Sequence, residues 1–89
     1  MNNSGDVRVR RRGPLFFDSR DGDHFIRDDE GVELDGIEQA RDEATLALRD
    51  LAKDALPKAT RRELSIEVRD EAGRQPIRAS LLFEVEVTT

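Results

Sequence analysis

Between Ile37 and Ala55 apolar side chains return every three or four residues, and on either side of that stretch they return every second residue. One helix set between strands satisfies both periods, because a 3.6-residue repeat lines one stripe of a helix and a two-residue repeat lines one face of a strand. The helical stripe is Ile37, Ala40, Ala44, Ala47/Leu48, Leu51 and Ala55. Arg41, Asp42, Glu43, Arg49, Asp50, Lys53 and Asp54 form the solvated side. Asp35 is expected as N-cap, with Glu38 three residues later completing a capping box and Leu34 stapling onto the first turn. Pro57 cannot continue the helix, which gives a length of about 20 residues, near 30 Å. Alanine dominates the stripe, as suits a helix lying close to a sheet.

Leu15 to Ser19 and Phe25 to Asp28 read as two short strands joined by Arg20-Asp21-Gly22-Asp23, where Asp-Gly signals a hairpin. A second turn at Asp29-Glu30-Gly31 leads to Val32 and Leu34. After a linker from Pro57 to Arg62, Leu64, Ile66 and Val68 alternate with Ser65, Glu67 and Arg69. Asp70-Glu71-Ala72-Gly73 turns the chain into a long final strand running from Ile77 to Val87. The order ββαββ predicts an α+β fold: an antiparallel four-stranded sheet with one long helix packed on one face.

The chain has 89 residues, so folding buries only about 60–65% of its unfolded surface and the core is thin. Residues 14–89 are read as a single α+β domain and residues 1–13 as a flexible basic arm, in which the alternation of Val7 and Val9 with arginines also suits a short edge strand. The net charge is −5. Arg8, Arg10, Arg11 and Arg12 against the lone Asp6 make the arm positive, so the body is more acidic than the total. Such a body repels phosphate backbones, and any nucleic-acid role rests on those four arginines. The absence of Cys fits a reducing compartment. No apolar run approaches the roughly 18 residues that span a bilayer, and the N-terminus does not read as a secretory signal. A soluble cytoplasmic protein without membrane contact is expected.

One helix covers one face of a sheet. Strand residues alternate between faces, so the doublets Phe16-Phe17 and Phe25-Ile26 and the triplet Leu81-Leu82-Phe83 cannot point wholly at the helix. Phe16, Ile26 and Leu82 are expected on the uncovered face as an apolar patch, and such patches mark partner surfaces. Self-association through that face or the final strand, as a homodimer, is the expectation. The acidic loops and helix surface offer an unidentified basic protein a second docking place.

Eight carboxylates lie between Asp18 and Asp35. An EF-hand frame fails, because starting at Asp18 puts Arg20 at position 3 and starting at Asp21 puts Phe25 at position 5. A weak cation site at Asp21, Asp23, Asp28 and Asp29 is the alternative to decorated turns. His24 is the sole histidine and is read as structural; no nucleophile, zinc set or glycine-rich phosphate loop accompanies it. No catalysis, metal or cofactor is expected.

The run formed by Phe16, Phe17, Arg20, Asp21, Gly22, Asp23, Asp28, Glu30, Gly31, Glu33 and Leu34, followed by Ala40, Arg41, Glu43 and Ala44, resembles a family of short bacterial proteins known as a domain of unknown function. Val68, Asp70, Gly73 and Phe83 echo the family's C-terminal hairpin, so the resemblance spans roughly residues 14–85. It implies the two-hairpin-and-helix fold and brings no activity with it. Glu38, Ala40, Glu43 and Ala44 also approximate the spacing of antitoxin domains of the HicB type. That looser likeness implies a regulatory protein using its basic arm on nucleic acid.

Overall fold

The computed structural model describes residues 13–89. Its elements are β1 (Phe16–Asp21), β2 (His24–Ile26), α1 (Ile37–Ala55), β3 (Arg61–Arg69) and β4 (Ile77–Glu84). Every neighbouring pair of strands is antiparallel, and the order across the sheet is β2-β1-β3-β4. Each hairpin therefore places its first strand at the centre and its second at an edge. The α+β fold is the one that the two hydrophobic periods predict.

The first hairpin is tighter than expected. Asp21 pairs with His24, leaving only Gly22 and Asp23 in the turn. Gly22 has φ 60°, and glycine with positive φ at the first central position is what a type II′ hairpin requires. β1 accordingly runs on to Asp21, while β2 ends at Ile26 instead of Asp28. Beyond Ile26 the chain swings away from β1 and returns at Val32, which exchanges backbone hydrogen bonds of 2.8 and 2.9 Å with Leu15. In the gap, the Asp28 carboxylate accepts the Phe17 N–H at 3.0 Å.

α1 starts one residue later than the capping box implies. Its N-cap is Gly36, which has no side chain to cap with, and Gln39 rather than Glu38 reaches back, accepting the Asp35 N–H at 2.7 Å. The helix ends at Ala55, before Pro57. It packs on β3, β4 and β1 and does not reach β2. Ala40 and Ala44 are completely buried against the sheet. Around them Leu15, Phe17, Leu48, Leu51, Ile77 and Ala79 close over Ile66 and Val68. Ile37, expected within this stripe, is instead 55% exposed and borders a groove beside Ile77 and Ala79 of β4. No helix among the described residues is long and apolar enough to cross a membrane.

Candidate functional site: the open sheet face and its free edge

The pairing registers decide which side chains face away from α1. Phe16, Asp18 and Arg20 of β1, Phe25 of β2, Ser65, Glu67 and Arg69 of β3, and Arg78, Ser80 and Leu82 of β4 share the open face. Charge, not grease, dominates it. Asp18 is 2% exposed and receives the Arg69 guanidinium through Nε and Nη2 at 3.0 and 3.1 Å. Its Oδ1 also accepts the Asp28 N–H at 2.9 Å. Arg69 lies 4.5 Å above the centre of the Phe16 ring and donates to the Asp28 carbonyl at 3.0 Å. Further along, Glu67 accepts Arg20 Nε at 3.0 Å, and Arg78 Nε approaches the same oxygen at 3.8 Å. Arg20 in turn stacks 4.5 Å over Phe25.

The acidic stretch is thus internal wiring rather than a ligand set. Asp28 accepts the N–H groups of Phe17, Glu30 and Gly31, and Asp21 bonds Arg62 at 2.8 Å. Burial opposes ionisation of Asp18, yet the Arg69 hydrogen bond, the Asp28 N–H and the nearby arginine charges hold its carboxyl below the usual carboxylate value of 3.8. Asp28 is likewise held low: desolvation and the Asp18 charge oppose ionisation, and its backbone donors outweigh both. Asp21, Asp23, Asp28 and Asp29 do not converge, and no cluster able to hold a metal ion occurs among the described residues. His24 is exposed at the start of β2.

The three residues expected to form one apolar patch are dispersed, which corrects that expectation. Ile26 pairs with Ser19 and so lies on the helix side, 53% exposed because α1 does not reach β2; Phe25 takes the place on the open face assigned to it. Phe16 lies beneath Arg69, with its ring against the backbone of Gly31. Leu82 is on the open face and 58% exposed. It pairs with Glu63, whereas Phe16 pairs with Arg69, so six residues of β3, about 20 Å, separate them. Arg8, Arg10, Arg11 and Arg12 lie outside the described residues. The residues missed were Asp18, Arg20, Glu67 and Arg69. Their signal is the Asp-x-Arg of β1 and the Glu-x-Arg of β3, which neutralise each other diagonally once the strands run antiparallel.

The edges are unequal. Val85 N–H bonds to the Thr60 carbonyl at 2.9 Å, and in this register the odd-numbered residues of β4 turn their backbone groups to β3. The N–H and C=O groups of Arg78, Ser80, Leu82 and Glu84 therefore point outward from the sheet. At the other edge β2 has three residues, and only Phe25 points outward in the same sense. Two depressions flank the β4 edge. On the open face one of about 250 Å³ lies among Arg20, Ser65, Arg78, Ser80 and Leu82. On the helix side a groove of about 450 Å³ lies among Ile37, Arg41, Thr45, Ile77 and Ala79.

Residues 15–88 match the model of a domain of unknown function, DUF6894, and the chain belongs to that family. No curated protein and no solved structure matches it.

Proposed function

We propose that this chain, from a family to which no activity is assigned, works as a non-catalytic interaction module that self-associates by strand addition at the edge of β4. The carrying observation is the row of outward N–H and C=O groups at Arg78, Ser80, Leu82 and Glu84. Long edges without proline, bulges or a covering loop template pairing with another strand. β4 has eight residues and Pro76 falls just before its start. The non-catalytic part rests on commitment of the least exposed carboxylates: buried Asp18 and Glu67 and half-buried Asp28 are engaged by arginines or backbone donors. Of the two surfaces expected to self-associate, the edge is favoured over the centre of the open face, where Asp18 with Arg69 and Glu67 with Arg20 already pair within the chain.

The test is the light-scattering mass at tens of micromolar of the full chain and of a Leu82→Pro variant. The Leu82 N–H points away from β3, so proline there removes an outward donor and leaves the β3 ladder intact. The full chain is expected at twice its 10.1 kDa and Leu82→Pro at the single-chain mass, with its far-ultraviolet circular dichroism retained. A single-chain mass for the unaltered protein overturns the proposal.

A further inference from the structure

Resting on that reading, we infer that a second copy pairs β4 with β4 antiparallel about a two-fold axis through Leu81. Two constraints leave few registers. Only even-numbered residues present outward hydrogen-bonding groups, so even must pair with even. The helix faces of the two copies must also continue into one another, which imposes the same parity. An axis at Ser80 sets Arg78 against Leu82 of the partner subunit and brings Glu84 opposite a proline, Pro76, which has no N–H to give. An axis at Leu82 sets Glu84 against the partner's Ser80 and needs Glu86, beyond the end of the strand.

The axis at Leu81 pairs all four outward residues with one another. Arg78 faces the partner's Glu84 and Ser80 faces the partner's Leu82, each pair exchanging both backbone bonds. The charges are free to be shared. Arg78 Nε is 3.8 Å from Glu67, and Glu84 is held by Arg61 only at 3.4 Å, with both Arg78 and Glu84 side chains more than half exposed. On the helix side Ala79 faces the partner's Phe83, a small residue opposite a large one. The groove bordered by Ile37, Thr45, Ile77 and Ala79 lies on that side and offers the ring a seat. Ile77 meets the partner's Val85, which is 45% exposed in the single chain. Opposite charges, matched sizes and a groove whose Ile37, Ile77 and Ala79 lie beside the charged Glu38, Arg41 and Arg78 select a second copy of this chain as the occupant.

The experiment is a charge exchange at two exposed positions. In Arg78→Glu each homodimer contact becomes carboxylate against carboxylate, and in Glu84→Arg each becomes guanidinium against guanidinium. Each variant alone is expected to associate on the order of tenfold more weakly than the unaltered chain. Mixed in equal amounts, the two are expected to form a heterodimer of near-normal affinity, because both contacts again join opposite charges. Weakening by Arg78→Glu alone, weakening by neither, or failure of the mixture to associate overturns the inference while the unaltered chain still runs as a dimer. A single-chain mass for the unaltered protein removes the underlying reading instead. Because the chain contains no Cys, Leu81→Cys gives an independent readout. It should oxidise to a covalent dimer, whereas Ser80→Cys and Leu82→Cys should not; the reverse pattern overturns the inference.

Discussion

The Arg69 guanidinium grips the Asp18 carboxylate through two parallel hydrogen bonds while resting on the Phe16 ring. Asp18 and Phe16 are neighbours on one face of β1, and Arg69 reaches them from the last position of β3. The two bonds thus clamp the first hairpin to the second. Replacing Asp18 by Ala leaves the Arg69 guanidinium with the Asp28 carbonyl but no counter-charge bonded to it, and the Asp28 N–H without its acceptor, in a nearly dry place. The expected cost is on the order of 3 kcal/mol, read as a lower urea midpoint at unchanged slope. Asp29→Ala, which removes an exposed contact to Arg27 at 3.6 Å and a charge that acts on Arg69 without bonding it, should move the midpoint far less.

The same carboxylates set the response to acid. Asp18 and Asp28 both ionise below the ordinary 3.8 in the folded chain. At a pH above that value both folded and unfolded states are ionised and the stabilisation is complete. As pH falls past it the unfolded chain takes up protons first, so stability declines until the folded-state values are passed. Melting temperatures should be flat from neutrality to about pH 5 and drop steeply toward pH 3. An Asp18→Asn, Asp28→Asn double variant should melt lower at neutral pH and show a shallower acid limb. An equally steep limb in the double variant would assign acid sensitivity to other groups.

Gly31 and Gly22 both have positive φ, 72° and 60°, but their surroundings differ. A Cβ on Gly22 meets nothing, whereas one on Gly31 falls 2.8 Å from the Phe16 ring and 3.2 Å from the Leu15 carbonyl. Gly22→Ala should cost only the left-handed backbone, about 1–2 kcal/mol. Gly31→Ala adds overpacking, for a total on the order of 3 kcal/mol. It should also move Phe16 from beneath Arg69. Thermal melts of the two variants give the ranking, and equal losses would show that the ring yields without resistance.

The helix, the hairpins and their order were legible because each depends on a period or a turn residue within a few positions of itself. What escaped depends on phase. In Phe25-Ile26 the composition permits either residue on either face, and only the two-residue turn at Gly22-Asp23 fixes which one joins Arg20. A turn spanning Arg20 to Asp23 and a second strand reaching Asp28 put Ile26 on the open face, whereas the two-residue turn and the shorter β2 put it on the helix side. The apolar patch expected of Phe16, Ile26 and Leu82 leaves out the arginine that covers Phe16. Arg20 over Phe25 and Arg69 over Phe16 are contacts between register partners on neighbouring strands, which a linear pattern shows only once strand partners are known. The apolar pattern extends the second strand to Asp28, yet the Asp28 side chain substitutes for a strand by accepting the Phe17 N–H. The β4 edge was foreseen as a long strand; that it is an outer one follows only from the β2-β1-β3-β4 order.

Close approach of α1 to the sheet gives the last expectation. Ala40 and Ala44 are both fully buried, and Ala44 sits with Ile66 and Val68 at the centre of the core. Leucine is a better hydrophobe than alanine and only slightly poorer as a helix former, so a gain in stability would follow from burial alone. The packing reverses that sign. An isobutyl group at position 44 must push α1 off β3 or force rotamers on Ile66 and Val68, at about 1–3 kcal/mol. Ala44→Leu should therefore lower the melting temperature by several degrees. Leu46→Ala, at a position 43% exposed on the outer side, should change it little. If Ala44→Leu were instead stabilising, the helix would rest on the sheet with room to spare, and the alanine stripe would owe nothing to close packing.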